Sequence, residues 1–208
     1  MLSWKLCLVA DPALAGGGDL TGTVEAALAG GVDCLQLRCK DAPEREFLSW
    51  ALRLREVTRH HQVPLLVNDR IDLALACSAD GVHLGLTDLP VPVARRLLGP
   101  EACIGGSAHS LATARQMEEA GADYLGLGPV FEARGTKPDA EAPGGLDLLR
   151  AVRAATDLPL VAIGGIQPAN AATVAAAGAD GIAVVSALLR SPDPLATARD
   201  LREAFTQK

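Results

Sequence analysis

Short apolar runs recur along the chain and alternate with longer segments in which apolar residues have a helical spacing. The runs occupy residues 5–11, 33–40, 64–69, 80–85, 102–109, 123–130, 159–165 and 180–187. Runs of this length are typical of buried strands, whereas the segments between them, such as 44–61 and 110–121, have the spacing of amphipathic helices. The alternation predicts repeated strand–helix units around a parallel sheet.

Four similar tetrads each precede a predicted strand, which indicates internal repetition. They read GGVD (30–33), SADG (78–81), GADY (121–124) and GADG (178–181). Each has the small residues expected where a helix ends and the chain turns back into a sheet. Eight strands with such turns predict an α/β fold, a single-domain (β/α)8 TIM barrel over residues 1–208. An open doubly wound sheet is the alternative, but a glycine fingerprint should then follow the first strand, where the chain reads ADPAL (10–14).

The composition supports this fold class and limits the possible partners. Hydrophobic residues make up 49% of the chain but aromatic residues only 3%, so the core consists mainly of Ala, Val, Leu and Ile. Such a core favours a buried parallel sheet. A formal charge of -6 and a pI near 5.2 give no general reason to bind nucleic acid or an anionic membrane. An anionic small-molecule substrate would need a local cluster of cations.

Targeting and redox signals predict a cytoplasmic protein with reduced thiols. The chain lacks a run of about 18 apolar residues that could span a bilayer, and Asp11 comes too early for a secretory signal. The odd number of cysteines and the absence of a CxxC pair argue against a disulfide framework and a zinc site. Buried thiols are therefore expected, and the sequence is compatible with a homo-oligomer.

Polar side chains follow several of the predicted strands, and in a barrel of this type the chemistry gathers at those carboxyl ends. The second strand ends QLRCK, and its period of two places Gln36, Arg38 and Lys40 on one face. Two cations and an amide then point toward the mouth of the barrel. The alternative is an ordinary strand end with solvated charges.

The third strand ends in Asn68, Asp69 and Arg70, and Asp88 lies in the loop after the fourth strand. Two carboxylates on neighbouring strand ends suit Mg²⁺, which proteins usually hold with one or two carboxylates while phosphates and water complete its shell. Asp69 and Asp88 are therefore the candidate metal ligands. Alternatively, each aspartate is the N-cap of a following helix, one starting near Ile71 and one near Val91. Arg70 is expected to be structural.

Two histidines lie near the same edge. His83 lies within an apolar run and is expected to be a hydrogen-bonded core residue. His109 follows the fifth strand, a better position for chemistry, and shares a strand face with Ser107. No third member of a hydrolytic triad is evident in the sequence.

The remaining signals concern anion binding. The longest loop, residues 131–145, offers Arg134, Thr136 and Lys137 to an anion. The seventh and eighth predicted strands end in AIGGI and VVSA, where helix N-terminal N–H groups attract phosphate. Two separate anion sites at one rim suggest a transferase that joins two phosphorylated groups and releases pyrophosphate.

Several longer motifs together resemble thiamine phosphate synthases over nearly the whole chain. They are QLRCK (36–40), VNDRIDLALA (67–76), DGVHLG (80–85), GGSAHS (105–110), GADYLGLGPVF (121–131), TKPDA (136–140), AIGGI (162–166) and GADGIAVVSA (178–187). The resemblance implies a Mg²⁺-dependent barrel enzyme. It would couple hydroxymethylpyrimidine pyrophosphate to thiazole phosphate through a pyrimidine cation, releasing pyrophosphate.

The resemblance also implies roles for individual residues. The pyrophosphate would contact Arg38, Lys40, Asn68 and Lys137, with Asp69 and Asp88 on Mg²⁺. The pyrimidine would contact Gln36 and Ser107, and the thiazole phosphate would lie among Thr136, Gly165, Val185 and Ser186. Of these, the expected catalytic residues are Arg38, Lys40, Ser107 and Lys137. The chain departs from the family pattern at Leu86 and in loop 131–140, where Glu132 and Ala133 replace Pro and Thr and Arg134 is a candidate to compensate.

Two other functions fit the same fold. A thiazole tautomerase would use His109 for proton transfer and would need no metal, which leaves the carboxylates and cations of the second to fourth strands without a purpose. A non-catalytic, thiamine phosphate-binding regulatory protein is the third possibility, because a fold alone does not determine function.

Overall fold

The computed structural model describes residues 4–40, 42–132 and 143–207. Eight parallel strands form a closed barrel in chain order, with β1 hydrogen-bonded to both β2 and β8. The strands are β1 (Leu6–Ala10), β2 (Cys34–Leu37), β3 (Leu65–Asn68), β4 (Gly81–Leu84), β5 (Cys103–Ala108), β6 (Tyr124–Leu127), β7 (Leu160–Ile163) and β8 (Gly181–Val184). The predicted (β/α)8 barrel is confirmed, and the open-sheet alternative is wrong because β1 and β8 pair.

The helices of the described residues surround this barrel. They are α1 (Leu20–Ala29), α2 (Glu44–His61), α3 (Ile71–Ala76), α4 (Val91–Leu98), α5 (Leu111–Glu119), α6 (Gly145–Arg153), α7 (Pro168–Ala176), α8 (Ser186–Leu189) and α9 (Pro194–Thr206). The predicted helix at 44–61 matches α2 at both ends. The apolar runs are longer than the strands that form within them. For example, β2 ends at Leu37, so Arg38 and Lys40 lie just beyond this strand.

The repeated tetrads have a structural role at the amino-terminal ends of the strands. The residue after the helix C-cap has a positive φ in all four, with values of 109° at Gly31, 53° at Ser78, 88° at Gly121 and 102° at Gly178. These positions turn the chain from helix to strand, as the sequence predicted, and three of the four are glycines because a Cβ disfavours positive φ.

Each tetrad also supplies an aspartate that joins an odd-numbered strand to an arginine. Main-chain N–H groups of Leu6, Leu65, Ile104 and Leu160 donate to Asp33, Asp80, Asp123 and Asp180, respectively. The same four carboxylates pair with Arg202, Arg55, Arg95 and Arg153 at 2.6, 2.5, 2.7 and 2.9 Å. This repeated connection lies at the rim that stabilises barrels rather than the rim that carries catalysis.

The apolar core forms two layers. The larger layer packs between the strands and the helices. The smaller one fills the barrel interior with Trp4, Cys7, Val9, Cys34, Leu66, Tyr124, Val161 and Ala183. The five cysteines are free thiols, and four of them are buried, as expected. Burial raises the pKa of Cys39 and of Cys103 to about 12, so these thiols stay protonated near neutral pH. Within the described ranges, no helix combines the length and apolar character needed to cross a bilayer.

Candidate active site

A cavity of about 680 Å³ opens at the carboxyl ends of the strands. Its volume is within the usual range for a small-molecule site, roughly 300–1,000 Å³. One wall carries the residues predicted from the second to fourth strands, namely Gln36, Arg38, Lys40, Asn68, Asp69 and Asp88. The rest of the lining includes Ser107 and His109 from β5 and its end, and Gly165, Val185 and Ser186 from the ends of β7 and β8. The cavity therefore brings together every predicted site residue that the structure describes.

The remaining predicted residues, Arg134, Thr136 and Lys137, lie outside the described residues. Their proposed contacts with anions therefore stay predictions.

Asp69 and Asp88 form a pair of carboxyl groups on one wall of the cavity. Asp69 follows β3 with φ of 63°, and its N–H donates to the carbonyl of His83 at 2.9 Å. The Asp88 carboxylate accepts from the N–H of Gly85 at 2.6 Å. Burial, and then the hydrogen bond and negative charge of Asp88, raise the pKa of Asp69 to about 7, while Arg38 and Lys40 oppose the shift. The two carboxyl groups are therefore close enough to share a proton.

The alternative role of these aspartates as helix N-caps is wrong. The cap of α3 is Arg70 and that of α4 is Pro90, and neither helix has a side-chain cap hydrogen bond. Arg70 instead pairs with Asp72 at 2.6 Å and Glu44 at 3.1 Å, which confirms its structural role.

Arg38 is held by a buried carboxylate that is not among the site residues predicted from the sequence. Asp11 follows β1, is 3% exposed, and accepts from Arg38 Nη1 at 2.6 Å. Its other carboxylate oxygen accepts from the N–H of Ala13, so Asp11 is also the N-cap of the short 3₁₀ turn Pro12–Leu14. The position of Asp11 at the carboxyl end of a predicted strand was the signal that could have identified it.

A second residue outside the predicted site, Tyr124, belongs to a chain of hydrogen bonds that lines the cavity. His83 Nε2 lies 2.9 Å from Ser107 Oγ, and His83 Nδ1 lies 2.9 Å from the Tyr124 hydroxyl. His83 is hydrogen-bonded, as predicted, but it also lines the cavity. The group beyond the imidazole is a phenol rather than the carboxylate of a hydrolytic triad.

Two glycines make room for this chain of hydrogen bonds. A Cβ at Gly105 would lie 2.1 Å from Cζ of Tyr124, and one at Gly126 would lie 2.7 Å from Cε1 of His83. Both distances are shorter than non-bonded carbon contacts, so only glycine allows the two rings to occupy these positions.

The wall at β7 and β8 is built from main chain. Gly164 and Gly165 have φ of 104° and 63°, and a Cβ at Gly165 would lie 2.8 Å from the carbonyl oxygen of Glu132. Asn170 Nδ2 donates to the Gly165 carbonyl at 3.0 Å. Val185 caps the short helix α8, which begins at Ser186. The predicted phosphate residues of β7 and β8 thus lie together at one end of the cavity.

Comparisons with known proteins agree on one family. The family described as thiamine monophosphate synthase matches residues 6–188. The thiamine-phosphate synthase of Moorella thermoacetica is 51% identical over 207 residues, covering 100% of this chain and 98% of the relative. That of Chloroflexus aurantiacus is 53% identical over 202 residues, covering 97% and 93%. The chain belongs to the thiamine-phosphate synthase family.

A solved structure with the same fold supports this assignment. The thiamine phosphate pyrophosphorylase from Pyrococcus furiosus has a TM-score of 0.87 and is 40% identical, covering 97% of this chain and 95% of that one. The resemblance inferred from the sequence motifs is thereby confirmed.

The carboxylate pair of Asp69 and Asp88 fits a hard divalent cation. Burial, and then the hydrogen bond and charge of Asp88, raise the pKa of Asp69, and a bound cation would relieve the repulsion between the two carboxylates. Across residues 4–40, 42–132 and 143–207, no cluster of three or more His, Cys, Asp or Glu side chains could hold a metal. Mg²⁺ is usually held by one or two protein carboxylates, so this pair would be sufficient, and substrate phosphates and water would complete the shell of the ion.

Proposed function

We propose that the chain joins hydroxymethylpyrimidine pyrophosphate to thiazole phosphate in this cavity, forming thiamine phosphate and pyrophosphate with the help of Mg²⁺. One observation carries the proposal. A paired carboxylate site flanked by Arg38 and Lys40 faces a main-chain site at Gly165 and Ser186 across the same cavity. Two phosphorylated substrates could bind there with their reacting ends between the two sites.

The pyrophosphate occupies the wall formed by β2 to β4. Arg38, Lys40 and Asn68 bind its oxygens there, and Asp69 and Asp88 would hold Mg²⁺, which neutralises charge on the leaving group when bound. The carbon–oxygen bond of the pyrimidine substrate breaks first, and fixed cations stabilise the negative charge that develops on the departing oxygen. No covalent bond to the protein is needed, so the side chains contribute position and charge.

The two heterocycles occupy the rest of the cavity. Gln36, which is 7% exposed, and Ser107 bind the pyrimidine at the barrel axis. Gly165, Val185 and Ser186 bind the thiazole phosphate, which places the ring nitrogen of the thiazole toward the pyrimidine carbon. The nitrogen attacks that carbon, and orienting the two substrates removes much of the entropic barrier to their reaction.

The function is tested by incubating the purified chain with both substrates, with and without Mg²⁺. We expect pyrophosphate and thiamine phosphate to form in equal amounts, and only when Mg²⁺ is present. Conversion of a thiazole tautomer without metal would instead support the tautomerase alternative that uses His109. Binding of thiamine phosphate without turnover would support the regulatory alternative.

Replacing Asp11 with asparagine should weaken the binding of pyrophosphate specifically. The amide keeps the shape of the side chain but loses the charge that orients the Arg38 guanidinium. We expect the Kd for pyrophosphate and the KM for the pyrimidine substrate to rise by about 10-fold, with an unchanged KM for thiazole phosphate, because a charge-assisted hydrogen bond contributes about 1.5–3 kcal/mol.

The control for this prediction is Asp19→Asn, the same chemical change at the exposed N-cap of α1. It should leave both KM values unchanged. Equal rises in the two KM values of Asp11→Asn, or a rise that simply follows a loss of thermal stability, would contradict the specific role of Asp11.

A further inference from the structure

We propose that Tyr124 and His83 orient the hydroxyl of Ser107 so that it donates a hydrogen bond to a ring nitrogen of the pyrimidine substrate. Tyr124 and His83 are then positioning residues, and they make the cavity selective for a ring with a hydrogen-bond acceptor at that position. This inference rests on the proposed function, because that function assigns a pyrimidine to the Ser107 end of the cavity.

The geometry aligns three polar groups from three neighbouring strands. In the register of the barrel, His83 of β4 lies opposite Gly105 of β5, and Ser107 of β5 lies opposite Gly126 of β6. Both imidazole nitrogens have partners at 2.9 Å, the hydroxyls of Tyr124 and Ser107. The imidazole therefore connects a buried phenol to a hydroxyl group that lines the cavity.

The proton on the phenol determines the direction of these hydrogen bonds. Tyr124 is 2% exposed, and burial raises its pKa well above the usual value, so the phenol keeps its proton. Within hydrogen-bond distance of the Tyr124 hydroxyl lies Nδ1 of His83, and a buried phenol that keeps its proton satisfies its donor by donating to this nitrogen.

A neutral imidazole has one donor and one acceptor nitrogen. If Nδ1 accepts from Tyr124, Nε2 carries the hydrogen and donates to Ser107 Oγ. The hydroxyl hydrogen of Ser107 is then directed away from His83 and into the cavity. Gln36 also lines the cavity, and its carbonyl oxygen can accept from an exocyclic amino group. Gln36 and Ser107 together present one acceptor and one donor, which matches an aminopyrimidine edge.

The rings of Tyr124 and His83 are held in place, so the direction of the hydrogen bonds is preserved when substrate binds. Tyr124 packs edge-on against Trp4 with ring centroids 5.3 Å apart. The two glycines described above, Gly105 and Gly126, fit closely around the rings. A rigid donor discriminates against a substrate without an acceptor, because the donor is then left unpaired.

The tautomer of His83 gives a test that does not depend on activity. In protein labelled with ¹⁵N-histidine, NMR should report His83 with hydrogen on Nε2, and its signal is identified by its absence from His83→Gln. Replacing Tyr124 with Phe should change this signal, because Nδ1 loses its donor. A signal with hydrogen on Nδ1 in the wild-type protein would overturn the proposal.

Substrate analogues test the consequence for specificity. In each of two pyrimidine pyrophosphate analogues, one ring nitrogen is replaced by CH. For the analogue that lacks the nitrogen facing Ser107, we expect the kcat/KM of the wild-type protein to be lower than for the natural substrate by about 30-fold or more. This is the size expected for the loss of one hydrogen bond in a buried site. In Tyr124→Phe this discrimination should fall to about 3-fold or less, with an unchanged KM for thiazole phosphate.

Two substitutions of His83 separate this role from packing. His83→Gln keeps an acceptor and a donor in one side chain and should retain part of the discrimination, whereas His83→Leu should lose it. Failure of the proposed function would appear as absence of pyrophosphate release from the natural substrates in wild-type protein. Normal release with equal discrimination in wild type and Tyr124→Phe would refute the positioning role alone.

Discussion

Replacing Asp69 with asparagine is expected to lower Mg²⁺-dependent turnover by roughly 100- to 1,000-fold, the size of effect seen when one preorganised electrostatic contact is removed. The amide has the shape of the carboxyl group but is a much poorer ligand for Mg²⁺. Asp88 alone then faces the pyrophosphate, and the cation is held less tightly. The rate of pyrophosphate release, measured over a range of Mg²⁺ concentrations, tests this expectation.

The same substitution is expected to stabilise the metal-free protein at alkaline pH. Because folding raises the pKa of Asp69 from 3.8 to about 7, the folded state binds this proton more tightly than the unfolded state does. The resulting stability is fully present below about pH 4 and is lost as the pH rises through 7. Asparagine does not ionise, so the free energy of unfolding of Asp69→Asn should exceed that of the wild-type protein by roughly 1–2 kcal/mol at pH 8. This value is reduced for the partial exposure of the carboxyl group.

Asp123→Asn is the matched control, because it makes the same chemical change at the opposite rim. Asp123 accepts from the N–H of Ile104 and pairs with Arg95, both at 2.7 Å. Its substitution should lower the free energy of unfolding by about 1–2 kcal/mol and leave turnover at 25 °C unchanged. The free energies of unfolding of the two variants and the wild-type protein are measured by chemical denaturation at pH 5 and pH 8. Full Mg²⁺-dependent turnover by Asp69→Asn would refute the metal assignment.

The fold could be predicted from the sequence because its local signals agree with one another. The short apolar runs, the helix at 44–61 and the repeated tetrads each point to strand–helix units. Once the strands are placed in a closed parallel barrel, their carboxyl ends meet at one rim. This rule alone brings residues as distant in sequence as Gln36 and Ser186 into one cavity.

The contacts between strands could not be predicted in the same way. Asp11 and Arg38 are 27 positions apart, and nothing in either local sequence indicates that they pair. Tyr124 occurs in a tetrad that the sequence identifies only as a turn. Its contact with His83 depends on which residues of β4, β5 and β6 lie side by side, and that register comes from the closed barrel.

Replacing Gly105 with alanine is expected to be among the most destabilising single changes in the barrel, at about 3 kcal/mol. The added Cβ would lie 2.1 Å from Cζ and 2.4 Å from the hydroxyl oxygen of Tyr124. Because the ring is buried and packs against Trp4, it cannot move aside without disturbing the interior layer. Displacement of the phenol should also lower kcat/KM for the pyrimidine substrate. Denaturant unfolding and steady-state kinetics measure the two effects.

Gly181→Ala is the control for a methyl group added to a barrel strand. A Cβ at Gly181 would have its nearest neighbour, the Trp4 carbonyl oxygen, at 3.3 Å, so only a small adjustment is needed. We expect a cost of less than about 1 kcal/mol there. A similar loss of stability in the two variants would mean that the clash with Tyr124 is not the cause.

A double substitution separates the space that Tyr124 fills from the chemistry of its hydroxyl. Tyr124→Leu removes the atoms that the new Cβ would strike, so Gly105→Ala should cost much less in that background than in wild type. Catalytic efficiency should nevertheless stay low in the double variant, because leucine has no proton to donate to His83. If the double variant regains stability but not kcat/KM, the fold requires glycine at position 105 only because the site requires Tyr124.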